Sequence, residues 1–249
     1  MRDNKAFIIE QYKKVKAHGF LPSNRRNNTG IGKTFEDYIG VEENNIDEPD
    51  LAGFEIKSHR EESESYVTLF TLAPSFPKGA NAYLLRTFGV PNEDNPILKK
   101  LHTSMFANHA NTFMGKLSFR LINDRVRREL RIAVCEYGTD NVIDQSVGYT
   151  YADVEAHLIK KLKNLFFVSA ERKYEGGKEH FFFNHAEIYT QPSMENLLKM
   201  IDEGDIMYDI RIGSYKSGRN IGKPHDHGSG FRIKEYNICK LYANYEKVD

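Results

Sequence analysis

The sequence predicts an α+β fold with an α/β core, a mixed β-sheet flanked by helices. Two observations predict it: strand-like alternation and helical apolar spacing interleave along the chain, and most such segments are bounded by a capping or turn residue. Ile8, Tyr12 and Val15 recur at helical spacing before Gly19, so the chain opens with an amphipathic helix. Thr34 can cap a short helix through Ile39, which puts Glu36 in its first turn. Phe54 to Lys57 alternates, and Val67 to Leu72 is a second strand after a polar turn. Leu117, Phe119 and Leu121, then Leu130, Ile132 and Val134, flank Asn123-Asp124 as a hairpin. Thr150 with Asp153 forms a capping box that opens a helix to about Lys163, and Leu165 to Ala170 follows as a buried strand. Strands over Phe181 to Tyr189 and Ile206 to Ile212 enclose a helix that Ser193 can cap and Gly204 can stop.

With 249 residues, 40% of them hydrophobic, the chain can bury a substantial core without disulfides. Cys135 and Cys239 lie far apart, no charged-then-apolar leader precedes the first helix, and no apolar run approaches membrane-spanning length. The expectation is a cytoplasmic protein with free thiols and no membrane partner. Lysine plus arginine equals aspartate plus glutamate at 35 each, so net charge steers toward no polyanion. The distribution is uneven, however. From Glu36 to Glu64 eleven acids face only Lys57 and Arg60. From Arg211 to Lys234 six basic residues face a single acid, Asp226, and from Lys99 to Arg131 eight face Asp124 and Glu129. An acidic part suits a divalent cation and basic parts suit phosphates, although each run alone could be a solvated face.

The sharpest local signal is Pro49-Asp50-Leu51-Ala52-Gly53-Phe54-Glu55-Ile56-Lys57. Alternate residues of a strand share a face roughly 6 to 7 Å apart, so Glu55 and Lys57 project together while Phe54 and Ile56 enter the core. Asp50, brought alongside through the Ala52-Gly53 turn, adds a second carboxylate. Two hard oxygen ligands suit Mg²⁺ and leave positions for water and phosphate. An ammonium group beside them can orient an attacking water or stabilise charge, which is what phosphodiester hydrolysis asks for. Acid-x-Lys is short, and Asp3-x-Lys5 and Glu171-x-Lys173 repeat it, but Asp3 lies at the terminus and no carboxylate closely precedes Glu171.

Pro49-Asp50 followed by Glu55-x-Lys57 resembles the signature of the PD-(D/E)XK nuclease superfamily. Gly30-x-Gly32-Lys33-Thr34-Phe35-Glu36 resembles the helix by which its MutH-like branch supplies a further acid. The likeness to type II restriction endonucleases of that branch runs the length of the chain. It implies a monomeric enzyme that needs no protein partner, uses Mg²⁺ (with Mn²⁺ able to substitute) and cuts double-stranded DNA at a pseudosymmetric CC(A/T)GG site. It also implies roles: Asp50 and Glu55 as metal ligands, Lys57 as the water-orienting or charge-stabilising group, and Glu36 as the supporting acid. The expected organisation is one nuclease unit, 1–249, with a catalytic part over about 1–140 and a DNA-recognition part over about 141–249.

Gly32-Lys33-Thr34 also resembles the end of a phosphate-binding P-loop, but that loop needs a glycine where Asn27 stands. Backbone freedom ahead of the Glu36 helix is the simpler role for Gly30 and Gly32. A second constellation runs from Asp209 to Arg232, where alternation stops at Gly213 and resumes near Phe231, so a long exposed loop is expected. Arginine offers a fork to guanine O6 and N7, histidine can donate or accept, and aspartate accepts from the cytosine amino group. Asp209, Arg211, His225, Asp226, His227 and Arg232 therefore have the chemistry to read a C/G-rich target, while Lys216, Arg219 and Lys223 suit phosphates. A zinc site at His225 and His227 lacks further ligands at suitable spacing, and a merely flexible basic loop is the stronger rival. His102 and His109 read as ordinary surface or partly buried histidines. Two other functions fit the same residues: a MutH-like nickase, and a sequence-specific DNA-binding module whose carboxylates are only structural.

Overall fold

The computed structural model describes residues 4–27, 29–41, 49–61, 65–139 and 141–248. In chain order the elements are α1 (Asn4–Ala17), β1 (Leu21–Pro22), α2 (Gly30–Ile39), β2 (Glu55–Arg60), β3 (Tyr66–Thr71), α3 (Ala80–Phe88), β4 (Val90–Pro91), β5 (Lys99–Met105), β6 (Leu117–Asp124) and β7 (Glu129–Glu136). They continue with β8 (Val142–Thr150), α4 (Tyr151–Leu162), β9 (Asn164–Glu175), β10 (Lys178–Pro192), α5 (Met194–Glu203), β11 (Ile206–Ser214), β12 (Pro224–Asp226), β13 (Gly230–Lys234), α6 (Ile238–Leu241) and β14 (Tyr242–Val248). The mixed α+β architecture expected from the sequence is what forms. Where a division near residue 140 was expected, the chain instead forms two interleaved compact units: Met1–Val67, Leu158–Ser193 and Glu235–Asp249 in one, Thr68–His157 and Met194–Lys234 in the other.

The first unit is built on a five-stranded sheet in the order β1-β10-β9-β2, with β14 also paired to β10. Its strands are antiparallel except β2, which lies parallel to β9 with Ile56 beside Phe166 and Ser58 beside Val168. Alternation sends Ile56, Phe166 and Val168 to one face, where they pack with Ile8, Tyr12 and Val15 of α1 and Ile31, Phe35 and Ile39 of α2. Tyr12 meets Phe166 edge-on at 5.8 Å. The opposite face carries Glu55, Lys57 and His59 on β2, in register with Leu165, Phe167 and Ser169 on β9. The same alternation that fills the core thus sets the polar side chains of β2 in a row.

α2 starts four residues before Thr34, so Thr34 does not cap it. Its Oγ1 donates to the Gly30 carbonyl at 2.7 Å inside the helix and accepts from Asn24 N at 3.0 Å. Glu36 consequently stands almost two turns in. Gly30 and Gly32 lie within the helix rather than ahead of it. A side chain at Gly30 would put Cβ 2.3 Å from the Arg25 carbonyl oxygen, so this glycine serves a close backbone approach.

The second unit holds a six-stranded sheet, β3-β13-β11-β5-β4 with β12 also paired to β11, and a three-stranded sheet, β6-β7-β8. Tyr149, Tyr208 and Phe231 are buried together, with ring centroids 5.1 to 5.7 Å apart. The capping box expected at α4 is present: Asp153 N donates to Thr150 Oγ1 at 3.1 Å, and that hydroxyl donates to Asp153 Oδ2 at 2.6 Å. The long loop expected between Gly213 and Phe231 is present but shortened, interrupted by the three-residue strand β12. β12 folds back on β11 with His225 opposite Gly213, and β13 pairs it with Gly230 opposite Asp209. Backbone groups flanking the glycines find partners on β11, which leaves residues 215–223 as the true loop.

Candidate functional site

The first candidate centre starts at a two-residue turn. Leu51 and Phe54 exchange backbone hydrogen bonds of 3.1 and 2.8 Å, and the residues between them, Ala52 and Gly53, have φ of 52° and 78°. Positive φ at both central positions is the type I′ geometry whose twist suits a tight hairpin. One step outward from that bridge stand Asp50 and Glu55. Asp50 Oδ2 accepts a hydrogen bond from the Ile56 amide at 2.8 Å, which fixes its carboxylate beside the Glu55-Ile56 peptide. Glu55 is buried, and Lys57 Nζ lies 2.5 Å from its Oε1. The other oxygen, Glu55 Oε2, is buried without a hydrogen-bond partner among the described residues. A buried carboxylate oxygen left unpaired is costly unless something else engages it. An oxygen-only donor set with one such atom fits a hard divalent cation, and the rest of its shell could come from water and phosphate. Among the described residues, no three or more His, Cys, Asp or Glu side chains gather as a metal cluster, which leaves His225 and His227 without the third ligand zinc needs.

Beyond Lys57 the same face continues to His59, buried between two polar partners. Its Nδ1 lies 2.5 Å from Glu235 Oε2, its Nε2 lies 3.1 Å from Ser65 Oγ, and Glu235 Oε1 accepts from Ser169 Oγ at 2.9 Å. Sequence reading passed over His59, although Glu55, Lys57 and His59 share one alternation that could have flagged it. Tyr242, at the start of β14, is buried, its hydroxyl has no hydrogen-bond partner among the described residues, and its pKa is raised by burial and then by the Glu55 charge. Glu36 is half-buried on α2, whose apolar side packs on the sheet face opposite Glu55 and Lys57. The rival pair Glu171 and Lys173 is exposed at the end of β9, bonded to Asn184 and Glu175 respectively. Asp3 lies outside the described residues.

The second candidate centre lies on the six-stranded sheet. On β11, Asp209 and Arg211 point to one face, and directly across on β5 stand Ser104 and His102. These four line a concave pocket of about 650 Å³ together with His227, Thr103, Asn111, Thr112 and Phe113. Asp209 is its buried anchor: Oδ1 accepts from Ser104 Oγ at 2.8 Å, and Oδ2 lies 2.6 Å from Arg211 Nε and 2.9 Å from Arg232 Nε. Arg232 is itself buried. Its guanidinium also donates to Thr68 Oγ1 at 2.5 Å and the Gly228 carbonyl at 3.2 Å, and burial lowers its pKa. Tyr215, His225 and His227 form a ladder of rings with 4.3 Å centroid separations. The pKa values of His102 and His227 are both lowered, chiefly by burial.

Asp226 is not brought to this face. It pairs with Ile212 rather than Arg211, its Oδ1 accepts from the Gly228 and Ser229 amides at 3.0 and 2.7 Å, and its Oδ2 accepts from Asn81 at 2.9 Å. Lys216, Arg219 and Lys223 sit on the exposed 215–223 loop, Lys216 3.0 Å from Asp94 and Lys223 3.0 Å from Asn220. His102, read from sequence as an ordinary histidine, lines the pocket, while His109 stacks on Phe106 at 4.6 Å. The missing signal was strand pairing, which sets His102 against Arg211 across more than a hundred residues of sequence.

Residues 9–242 match the MvaI/BcnI restriction endonuclease family. Two solved structures are similar, each at 34% identity and over all of this chain. One is a complex of restriction endonuclease MvaI with cognate DNA substrate, with a TM-score of 0.90 over 100% of that chain. The other is restriction endonuclease MvaI in the absence of DNA, with a TM-score of 0.67 over 99% of that chain. No curated protein sequence matches significantly.

Proposed function

Since the chain belongs to the MvaI/BcnI restriction endonuclease family, and is thus a site-specific deoxyribonuclease, we propose that it cuts both strands of double-stranded DNA at a CC(A/T)GG-type site and leaves 5′-phosphates. The observation that carries the reading is the tight turn that sets Asp50 beside Glu55, with Lys57 against one Glu55 oxygen and the other oxygen unpartnered among the described residues. Asp50 and Glu55 would hold Mg²⁺, or Mn²⁺ in its place. Such an ion supplies charge stabilisation at the phosphate and acidifies a bound water. Lys57 presents an ammonium group at the same spot, able to orient the attacking water or steady the charge that develops on the phosphate. Glu36, on the helix that packs against the other sheet face, would act only as a supporting acid from a distance, so its loss should cost less than that of Asp50.

The similar MvaI complex with cognate DNA supports duplex DNA as the partner. Arg211 offers its fork to guanine, and His225 and His227 meet base edges. Arg232, Asp209 and Asp226 contribute by holding that arrangement: the first two lock each other and steady Arg211, and Asp226 shapes the turn that carries His227. Lys216, Arg219 and Lys223 grip phosphates. Among the described residues no helix is long and apolar enough to cross a membrane. We take the enzyme to act as a cytoplasmic monomer that needs no protein partner.

The test is incubation of the purified chain with plasmid and Mg²⁺, followed by sequencing of the fragment ends. Linear product cut within one recurring C/G-rich sequence is expected. Lys57→Ala and Asp50→Ala should lose cutting by at least about 100-fold while site-specific binding persists in Ca²⁺. Nicked circles as the final product, or full cutting by either variant, would refute the reading.

A further inference from the structure

We propose that His102 is a specificity-determining residue that accepts a hydrogen bond from the amino group of the cytosine paired with the guanine read by Arg211. The inference rests on the base-reading assignment of Arg211 and adds a residue from a different strand.

Strand pairing supplies the geometry. His102 on β5 lies directly opposite Arg211 on β11, so the two side chains leave the same face of the sheet. Opposed residues of an antiparallel pair stand about 4.5 to 5.5 Å apart at Cα, close enough for both to reach one base pair. In the major groove a G·C pair presents acceptors at guanine O6 and N7 and a donor at cytosine N4. Arg211 can only donate. The matching acceptor has to come from another side chain, and the anionic one in this pocket is already engaged. Asp209 has Ser104 on one oxygen and Arg211 and Arg232 on the other. Asn111 is held as well, its Oδ1 accepting from the Phe119 amide at 2.7 Å.

His102 is the acceptor set directly across the strand pair from Arg211, whereas His227 lies over Gly213. Its side chain is exposed and lines the pocket. The His227 ring stands nearly perpendicular to it, at 83° and a centroid distance of 6.3 Å. Partial burial of the ring against the pocket wall, then the neighbouring His227, Lys100 and Arg211, hold its pKa below the ordinary histidine value, against Asp209. An uncharged imidazole keeps one ring nitrogen as an acceptor, which the charged form would lack.

The test uses the full chain in Ca²⁺ and duplexes carrying its mapped cleavage site. Each cytosine is replaced in turn by 2-pyrimidinone, which lacks the amino group. Wild type is expected to lose about 10- to 100-fold in affinity at one such position. His102→Ala should show that loss already on the unmodified duplex and be indifferent to the analogue there, with random-sequence binding unchanged. His102→Gln, which keeps an acceptor, should recover part of the affinity. A His102→Ala protein with the wild-type ratio of specific to random binding, or with wild-type sensitivity to every analogue, would overturn the proposal. Arg211→Ala separates the two levels of argument. If it collapses specificity while His102→Ala does not, the His102 assignment alone fails. If neither variant changes specificity, the base-reading assignment of the pocket fails with it. Retained hydrogen-exchange protection of β11 in each variant confirms that folding is not the cause.

Discussion

Replacing Asp209 by alanine removes the carboxylate that, among the described residues, compensates the buried Arg232 guanidinium. Asp209 and Arg232 are 6% and 8% exposed, with 2.9 Å between Asp209 Oδ2 and Arg232 Nε, so the pair is largely shielded from water. Removing one partner of a buried pair costs about 3 to 5 kcal/mol, because the remaining charge is stranded. Arg232 retains Thr68 and the Gly228 carbonyl, which argues for the lower end, about 3 kcal/mol. Arg211 is half-exposed and adds less than about 1 kcal/mol. The cost should therefore be shared, not additive. Asp209→Ala and Arg232→Met combined should destabilise by about 2 to 3 kcal/mol less than the sum of the single variants. The chain has no tryptophan and two compact units, so the suitable assay is hydrogen exchange of the β11 amides, read peptide by peptide. A drop of 3 kcal/mol is roughly a 150-fold loss of protection. A coupling below about 0.5 kcal/mol, or unchanged protection in Asp209→Ala, would refute the reasoning.

Three further outcomes are expected. Gly213→Ala puts Cβ 2.9 Å from His227 Nε2, the far end of a movable ring, so the fold should persist while His227 shifts. Binding assays should show weaker discrimination between specific and random duplex with an unchanged melting temperature, and unchanged discrimination would exclude His227 from reading. Lys223→Ala should weaken binding to all sequences alike and reduce the slope of log affinity against log salt by about 1; a sequence-dependent loss would contradict its assignment to phosphate. His102 and His227 have folded-state pKa values below the ordinary 6.5. The unfolded chain therefore binds more protons just below that value, and stability, intact above it, should fall as pH drops toward the folded-state values. Denaturation midpoints from pH 7.5 to 5.5 should fall less for His102→Gln/His227→Gln than for wild type, and equal falls would assign the acid loss to other groups.

What could be read along the chain was whatever depends on neighbours in sequence. The apolar rhythm of Ile8, Tyr12 and Val15, the Thr150-Asp153 box and the alternation of Phe54 to Lys57 are local, because helix spacing, capping and strand faces follow from backbone geometry over a few residues. The turn at Ala52-Gly53 belongs to the same class, so the placement of Asp50 beside Glu55 was legible before any fold was known. The start of α2 was not. Thr34 looks like a cap, but Gly30 can pack against the Arg25 carbonyl and lets the helix begin earlier, a choice made by a contact across a bend.

Tertiary structure decided which distant residues share a face. β11 takes His102 and Ser104 on one side and Arg232 and His225 on the other, and no spacing in the sequence encodes that register. It pinned an expected open loop back onto β11 through β12, sent Asp226 to the opposite face from Arg211, and set His59 against Glu235. It also divided the chain into interleaved units instead of successive halves. The physical reason is common to all of these. Strand pairing satisfies backbone hydrogen bonds between segments far apart in sequence, and the partner chosen is the one that lets both segments bury their apolar faces together.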